Sequence, residues 1–212
     1  MSKKLSVLMI NGSPHEKGCT YTALSEIAAE LAKHDIDSEI VHIGNKPYRG
    51  CMGCGVCRKT NGPCAFGDDG INDIVEKAKN ADGLIVGSPV HYAAASGALT
   101  CVLDRVFYSG GKNFAYKPGA AILSCRRGGA TASLDQLNKY FLINKMPVVS
   151  SQYWNMVHGN TPDEVKQDLE GMQTMRTLAI NMAWLLKCIE AGKDAGIEIP
   201  TLEKPLRTNF IR

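Results

Sequence analysis

Short apolar runs alternate with amphipathic stretches along the chain. Residues 5–10 are an apolar run that ends in the turn Asn11-Gly12-Ser13-Pro14, the pattern of a buried strand. In residues 20–33, Ala23, Leu24, Ile27, Ala28 and Leu31 recur at helical spacing. The same reading predicts strands over 39–43, 83–87, 120–124 and 146–149, and helices over 71–79, 96–107 and 134–142. Asp68 and Asp69 precede the 71–79 helix, where acidic groups suit the positive end of the helix dipole. Residues 44–69 are irregular and rich in Gly. Val165, Leu169, Met172, Met175, Leu178, Met182, Leu185 and Ile189 form one apolar stripe, which predicts a single long helix over 163–192. Residues 193–212 contain Pro200 and Pro205 and read as an extended tail. The chain thus divides into a domain over 1–192, with a loop at 44–69, and a tail over 193–212.

Alternation of five strands with helices predicts an α/β three-layer sandwich around a parallel sheet. Such sheets bind ligands beyond the carboxyl ends of their strands. The turn-rich segments 11–22, 88–95 and 124–130 follow three of the strands, so they should line one cleft.

Composition narrows the picture. The chain has 212 residues, 44% hydrophobic and 21% charged, with a net charge of +3. That excludes disordered and fibrous classes and removes the charge signature of a nucleic-acid binder. The longest apolar runs, 5–10 and 182–186, are far short of the roughly 20 residues that span a bilayer. The first run is also too short for a secretory signal and meets a turn, so the expectation is a cytoplasmic protein without a membrane partner.

Eight cysteines need a reason in a reducing compartment. Cys19, Cys101, Cys125 and Cys188 are scattered and read mainly as small core side chains. Cys51, Cys54, Cys57 and Cys64 fall within 14 residues, which points to metal or redox chemistry.

The strand-to-helix loop at 11–22 offers backbone N–H groups, a positive helix end and the hydroxyls of Ser13, Thr20 and Thr22 to an anion. It lacks the lysine and spacing of a Walker A loop and the glycines of a dinucleotide fingerprint, so a phosphate monoester suits it best. The plainer alternative is an ordinary N-cap turn. Tyr92, after Gly87-Ser88-Pro89-Val90-His91, can border a flat ring; His91 alone reads as a surface histidine. Arg126 and Arg127, in Ser124-Cys125-Arg126-Arg127-Gly128-Gly129, are suited to a developing anion or a ring face, with a solvated surface as the alternative.

Gly12-Ser13-Pro14 with Gly18-x-Thr20, the Gly87–Tyr92 segment, and Leu103-Asp104-Arg105 together resemble the NADPH-dependent FMN reductases of flavodoxin-like fold. The likeness covers roughly residues 5–190. It implies a five-stranded parallel sheet of order 2-1-3-4-5. It also implies FMN, with its phosphate on Ser13, Gly18, Cys19, Thr20, Tyr21 and Thr22. The ring would lie against Pro89, Val90, His91 and Tyr92 on one side and Ser124, Arg126, Arg127, Gly128 and Gly129 on the other. Arg126 or Arg127 would stabilise the N1–C2=O edge of the reduced ring. NAD(P)H is the implied co-substrate, a quinone, flavin, iron centre or other electron carrier the acceptor, and a homodimer or homotetramer the assembly. This chain has His15 where arginine is usual and Cys19 where asparagine is usual.

The motif Cys51-x2-Cys54-x2-Cys57-x6-Cys64 is closer to ferredoxin ligation of a [4Fe–4S] cluster than to paired zinc knuckles. It resembles the compact motif of the iron–sulfur flavoproteins, a branch of the same group. Retained free thiols and a zinc site are the alternatives. For the whole chain the leading expectation is an NAD(P)H-dependent flavin oxidoreductase. An electron carrier without its own NAD(P)H site, and a non-redox FMN-binding domain, are the competing readings.

Overall fold

The computed structural model describes residues 4–210. In chain order the elements are β1 (Ser6–Asn11), α1 (Cys19–Lys33), β2 (Asp37–His42), α2 (Val56–Thr60), α3 (Ile71–Asn80), β3 (Gly83–His91) and β4 (Ala94–Ala95). They continue with α4 (Gly97–Gly110), β5 (Gly119–Cys125), α5 (Ala130–Ile143), β6 (Met156–His158), α6 (Pro162–Gln167) and α7 (Leu169–Asp194). Five strands are parallel in the order β2-β1-β3-β5-β6; the two-residue β4 is a sixth that turns back antiparallel on the end of β3. This is the flavodoxin-like order expected from the sequence, with one hairpin strand added.

Why the strands read as unbroken apolar runs is visible in the packing. Leu8, Ile10, Leu84, Val86, Ala121 and Leu123 face a core shared with α3, α4 and α5. Val7, Met9, Ile85, Ala120 and Ile122, their neighbours in sequence, face the opposite core with α1 and α7. Successive side chains point to opposite faces, and helices cover both, so the central positions of β1, β3 and β5 are apolar one after another.

Two sequence expectations are corrected. The fifth strand is Met156–His158 and not 146–149. Residues 147–149 touch only the start of β5: Gly119 N–H donates to the Pro147 carbonyl at 2.9 Å, and Val149 N–H to the Gly119 carbonyl at 2.9 Å. Pro147 has no N–H for a continuous ladder. Pairing with the far half of β5 passes instead to Asn155, whose carbonyl accepts from Leu123 N–H at 2.9 Å, and to β6.

The long C-terminal helix is also two helices, because Asp168 interrupts it. The Asp168 carboxylate accepts from Gly171 N–H at 2.9 Å, capping α7, and from His158 N–H at 2.7 Å, holding the end of β6. The apolar stripe continues across the break, since Val165 and Met172 enter the same core. Asp168→Ala removes both acceptors. It should destabilise the fold by about 1–2 kcal/mol, seen as a lower midpoint of chemical unfolding; an unchanged midpoint would exclude this role.

Among the described residues, no helix is long and apolar enough to cross a membrane. The tail after α7 is exposed through residue 210, including Ile197, Ile199, Leu202, Leu206 and Phe210.

Candidate functional site

The ends of β1 and β3 are tied together where the chain leaves the sheet. Gly12 N–H donates to the Gly87 carbonyl at 2.8 Å. A Cβ on Gly12 would stand 2.7 Å from Leu99 Cδ2 and 2.9 Å from the Gly87 oxygen, so this approach needs glycine. Buried Asn11 shapes the loop that follows. Its Oδ1 accepts from Ser13 N–H at 3.1 Å, and its Nδ2 donates to the Glu16 carbonyl at 3.0 Å. Ser13 Oγ in turn accepts from His15 N–H at 3.1 Å.

Gly18 then opens α1 in an extended conformation. No side chain caps this helix, and its first turn carries no acidic residue. The first-turn N–H groups and the positive end of the dipole are therefore left for an anion. Across the gap, Thr20 Oγ1 lies 2.8 Å from Ser124 Oγ, joining the first turn of α1 to the end of β5.

The second segment is braced differently. Ser88 Oγ accepts from Ser96 N–H at 2.9 Å, which holds the start of α4 against β3. The β3–β4 hairpin turns at Tyr92, a wholly exposed aromatic side chain with φ 55°. A left-handed non-glycine residue at the lip of a cleft is the kind of local strain that functional loops carry.

One open cleft is lined by Ser13, Pro14, His15, Cys19 and Thr20, by Pro89, Val90 and His91, and by Ser124, Cys125 and Arg126. All three segments picked out in the sequence thus converge. Gly159 and Asn160, which complete the wall, were missed because the fifth strand was placed too early. The signal available was the polar turn after Met156-Val157-His158. Cys125 Sγ lies 3.4 Å from His158 Nδ1 at this wall, and burial pushes the Cys125 thiol pKa up.

Some expected positions lie outside the cleft wall, Gly18 and Tyr92 among them. Tyr21 and Thr22 border a separate surface depression with Lys17 and Glu26, and Thr22 Oγ1 donates to the Gly18 carbonyl at 3.2 Å. Arg127 and Gly128 are exposed on the turn after β5, and Gly129 caps α5.

A second, smaller cavity is lined by all four clustered cysteines together with Arg105, Tyr108 and Ser109 of α4. The thiols are free; Cys51 and Cys54 are exposed, Cys57 and Cys64 half-buried. Gly53 and Gly55, at φ 63° and 73°, let the backbone turn between them. Among the described residues, no three His, Cys, Asp or Glu side chains stand close enough to share one metal ion. Asn72 of α3 fixes the far end of the segment, its Oδ1 accepting from Cys64 N–H at 2.9 Å and its Nδ2 donating to the Cys64 carbonyl at 3.1 Å. Beneath lies the Arg105–Asp69 ion pair. Burial is the largest single effect and works against both charges, but the pair's hydrogen bonds and attraction, together with the backbone N–H donors at Asp69 and the Cys64 side chain at Arg105, outweigh it. The Asp69 carboxyl is held below its ordinary pKa and the Arg105 guanidinium above its own.

The model of the NADPH-dependent FMN reductase family matches residues 5–161. Over 194 residues the chain is 32% identical to an iron–sulfur flavoprotein of Methanocaldococcus jannaschii, covering 88% of this chain and all of that one. An iron–sulfur flavoprotein of Methanosarcina thermophila is 31% identical over 195 residues, covering 90% of this chain and 100% of its own. Among solved structures, a flavodoxin from the domain Archaea superposes with a TM-score of 0.60 at 13% identity, over 86% of this chain and 99% of that one. That last likeness concerns the fold alone. A match over most of the chain, on a sheet of this order, settles the kinship: the chain belongs to the NADPH-dependent FMN reductase family, flavin-dependent oxidoreductases of flavodoxin-like fold.

Proposed function

We propose that this protein holds FMN in the strand-end cleft, draws on NAD(P)H as reductant and serves a small-molecule or protein electron acceptor, with a [4Fe–4S] cluster in the cysteine cavity. The observation that carries the flavin reading is the convergence of Ser13–Thr20, Pro89–His91 and Ser124–Arg126 on one cleft. The uncapped first turn of α1 and the buried hydroxyls of Ser13 and Thr20 fit a phosphate monoester. The walls at Pro89–His91 and Ser124–Arg126 leave room for a flat ring.

When bound, FMN supplies exchange between two-electron and one-electron carriers, which is the redox chemistry of the reaction. The chain supplies position and charge. The Thr20–Ser124 hydroxyl pair keeps the phosphate loop and the ring wall in register. Arg126 at the cleft edge favours negative charge on the ring's N1–C2=O side. Arg126→Met should therefore make the flavin midpoint potential more negative. An unchanged potential with a raised Michaelis constant for NADPH would move Arg126 to the nicotinamide cofactor's phosphate instead.

The cysteine cavity fits an iron–sulfur cluster by its donor set, since all four thiols line one space. The chain's similarity to iron–sulfur flavoproteins supports the same reading. Exposure of Cys51 and Cys54 favours a second possibility for electron entry: a protein donor meeting the cavity directly, with no NAD(P)H site on this chain. Anaerobic protein examined by absorption separates the two. Flavin bleaching on addition of NADPH or NADH supports the enzyme. Bleaching only with dithionite or reduced ferredoxin supports the carrier, and colourless protein that takes up no FMN overturns both.

A further inference from the structure

Leu103-Asp104-Arg105 of α4 belongs to the family likeness, yet the flavin cleft makes no use of it. Arg105 is only 2% exposed and lines the cysteine cavity. Its Nη1 donates to Asp69 Oδ2 and, at 3.5 Å, to the Arg49 carbonyl. Its Nη2 donates to the Phe66 carbonyl and, at 3.2 Å, to Asp69 Oδ1. Arg49 lies two residues before Cys51, and Phe66 two residues after Cys64. One guanidinium therefore ties both flanks of the cysteine segment to the same helix. Only arginine has the planar fork of donors for that task.

The fifth donor stands apart. Arg105 Nε–H is buried and has no hydrogen-bond partner among the described residues. Buried donors in folded proteins are nearly always paired, so an orphan on the wall of a cavity points to a group that the cavity receives. Asp69, the counter-charge, does not line that cavity, so the cationic side of the ion pair is the side presented to it. The Cys64 side chain interacts with Arg105 and, like Asp69, favours its charged form.

We propose that Arg105 is a positioning residue of the cysteine cavity, tethering both flanks of the segment and directing its Nε–H and positive charge at the Cys64 side of an anionic iron–sulfur cluster. The proposal rests on the cluster reading given above. A cluster held by four thiolates gains negative charge on reduction, and a nearby cation with an unshared N–H favours that state. Arg105 thus raises the cluster's potential and at the same time fixes the loop that holds it.

The test compares anaerobically reconstituted wild-type protein with Arg105→Lys and with the double variant Arg105→Met/Asp69→Asn. The double variant leaves no unpaired buried charge, and retained FMN reports that it has folded. Iron per chain and the midpoint potential from an EPR-monitored redox titration are the readouts. The double variant should hold less iron, and its remaining clusters should titrate at a more negative potential. Arg105→Lys keeps the charge but not the fork, so it should lose iron while its potential stays nearer wild type. Wild-type iron content and potential in the double variant would overturn the proposal, as would lost iron with an unmoved potential. Wild-type protein that takes up no iron would instead overturn the cluster reading. Amide exchange across residues 49–66 of the iron-free chain then decides the tether by itself. Exchange about tenfold faster in the double variant upholds it, and unchanged exchange removes it.

Discussion

Cys54→Ser will strip anaerobically reconstituted protein of its iron, from about four atoms per chain to near zero, while FMN stays bound at the wild-type level. Cys54 lines the cysteine cavity and contributes nothing to the flavin cleft, so the two cofactor contents should separate cleanly. A cubane held by three thiolates and an exposed serine loses a strong ligand where water can replace it, because Cys54 is on the exposed rim. Folding of the segment should follow the metal. The stretch from Cys51 to Cys64 contains one five-residue helix and no buried side chain of its own, and it is held mainly by polar contacts: Asn72 at Cys64, Lys112 at Asn61, Tyr108 at Cys57 and Arg58, and Arg105 at the flanks. Protease cleavage within 51–64 should accordingly be faster in Cys54→Ser. NAD(P)H-dependent reduction of FMN should persist. Iron retained in the variant would sink the four-thiolate site. Wild-type protein that binds zinc in place of iron, or no metal at all, would convert the cavity to one of the alternatives weighed from the sequence.

The paired change Ser13→Ala with Thr20→Ala should weaken FMN binding by about 2–4 kcal/mol, or roughly 30- to 1,000-fold in affinity. Both hydroxyls are buried at the cleft, and each charge-assisted bond to a phosphate oxygen exceeds an ordinary hydrogen bond. The loss has two parts. Ser13 also accepts from His15 N–H, and Thr20 also holds Ser124, so the variant loosens both sides of the cleft besides removing donors. Thr22→Ala is the internal control. Its hydroxyl already donates to the Gly18 carbonyl within α1, so that change should alter FMN affinity much less. Isothermal titration of flavin-free protein gives all three values. Equal losses for Thr22→Ala and the pair would place the phosphate beside Tyr21 and Thr22, in the neighbouring depression with Lys17.

What could be read from the chain was read through two kinds of signal. Continuous apolar runs marked β1, β3 and β5, because both faces of a parallel sheet are buried at its centre, and helical spacing marked α1 and α4. Turn residues placed just after those strands then located the segments 11–22, 88–95 and 124–130, of which Ser13–Thr20, Pro89–His91 and Ser124–Arg126 carry the cleft-lining residues. Such loops sit at the strand ends in any doubly wound sheet, so their meeting in one cleft follows from topology without knowledge of a single contact.

Tertiary structure alone decided the rest. Residues 146–149 have the composition of a strand, but Pro147 cannot sustain a ladder, and the partner edge of β5 is taken by the less conspicuous Met156–His158. Gly159 and Asn160 joined the cleft by that exchange. The break between α6 and α7 was invisible to periodicity, because the apolar stripe runs through it; there the Asp168 carboxylate caps α7 and accepts from His158 N–H, a partner ten residues earlier in the chain. Arg105 shows the same limit most clearly. From sequence it is one basic residue on an amphipathic helix, and its partners at Arg49, Phe66 and Asp69 lie 36 to 56 positions away. Local spacing determines which elements form and where their ends point. The long-range satisfaction of buried donors and acceptors determines which residues finish the site, and it exists only once the chain has folded.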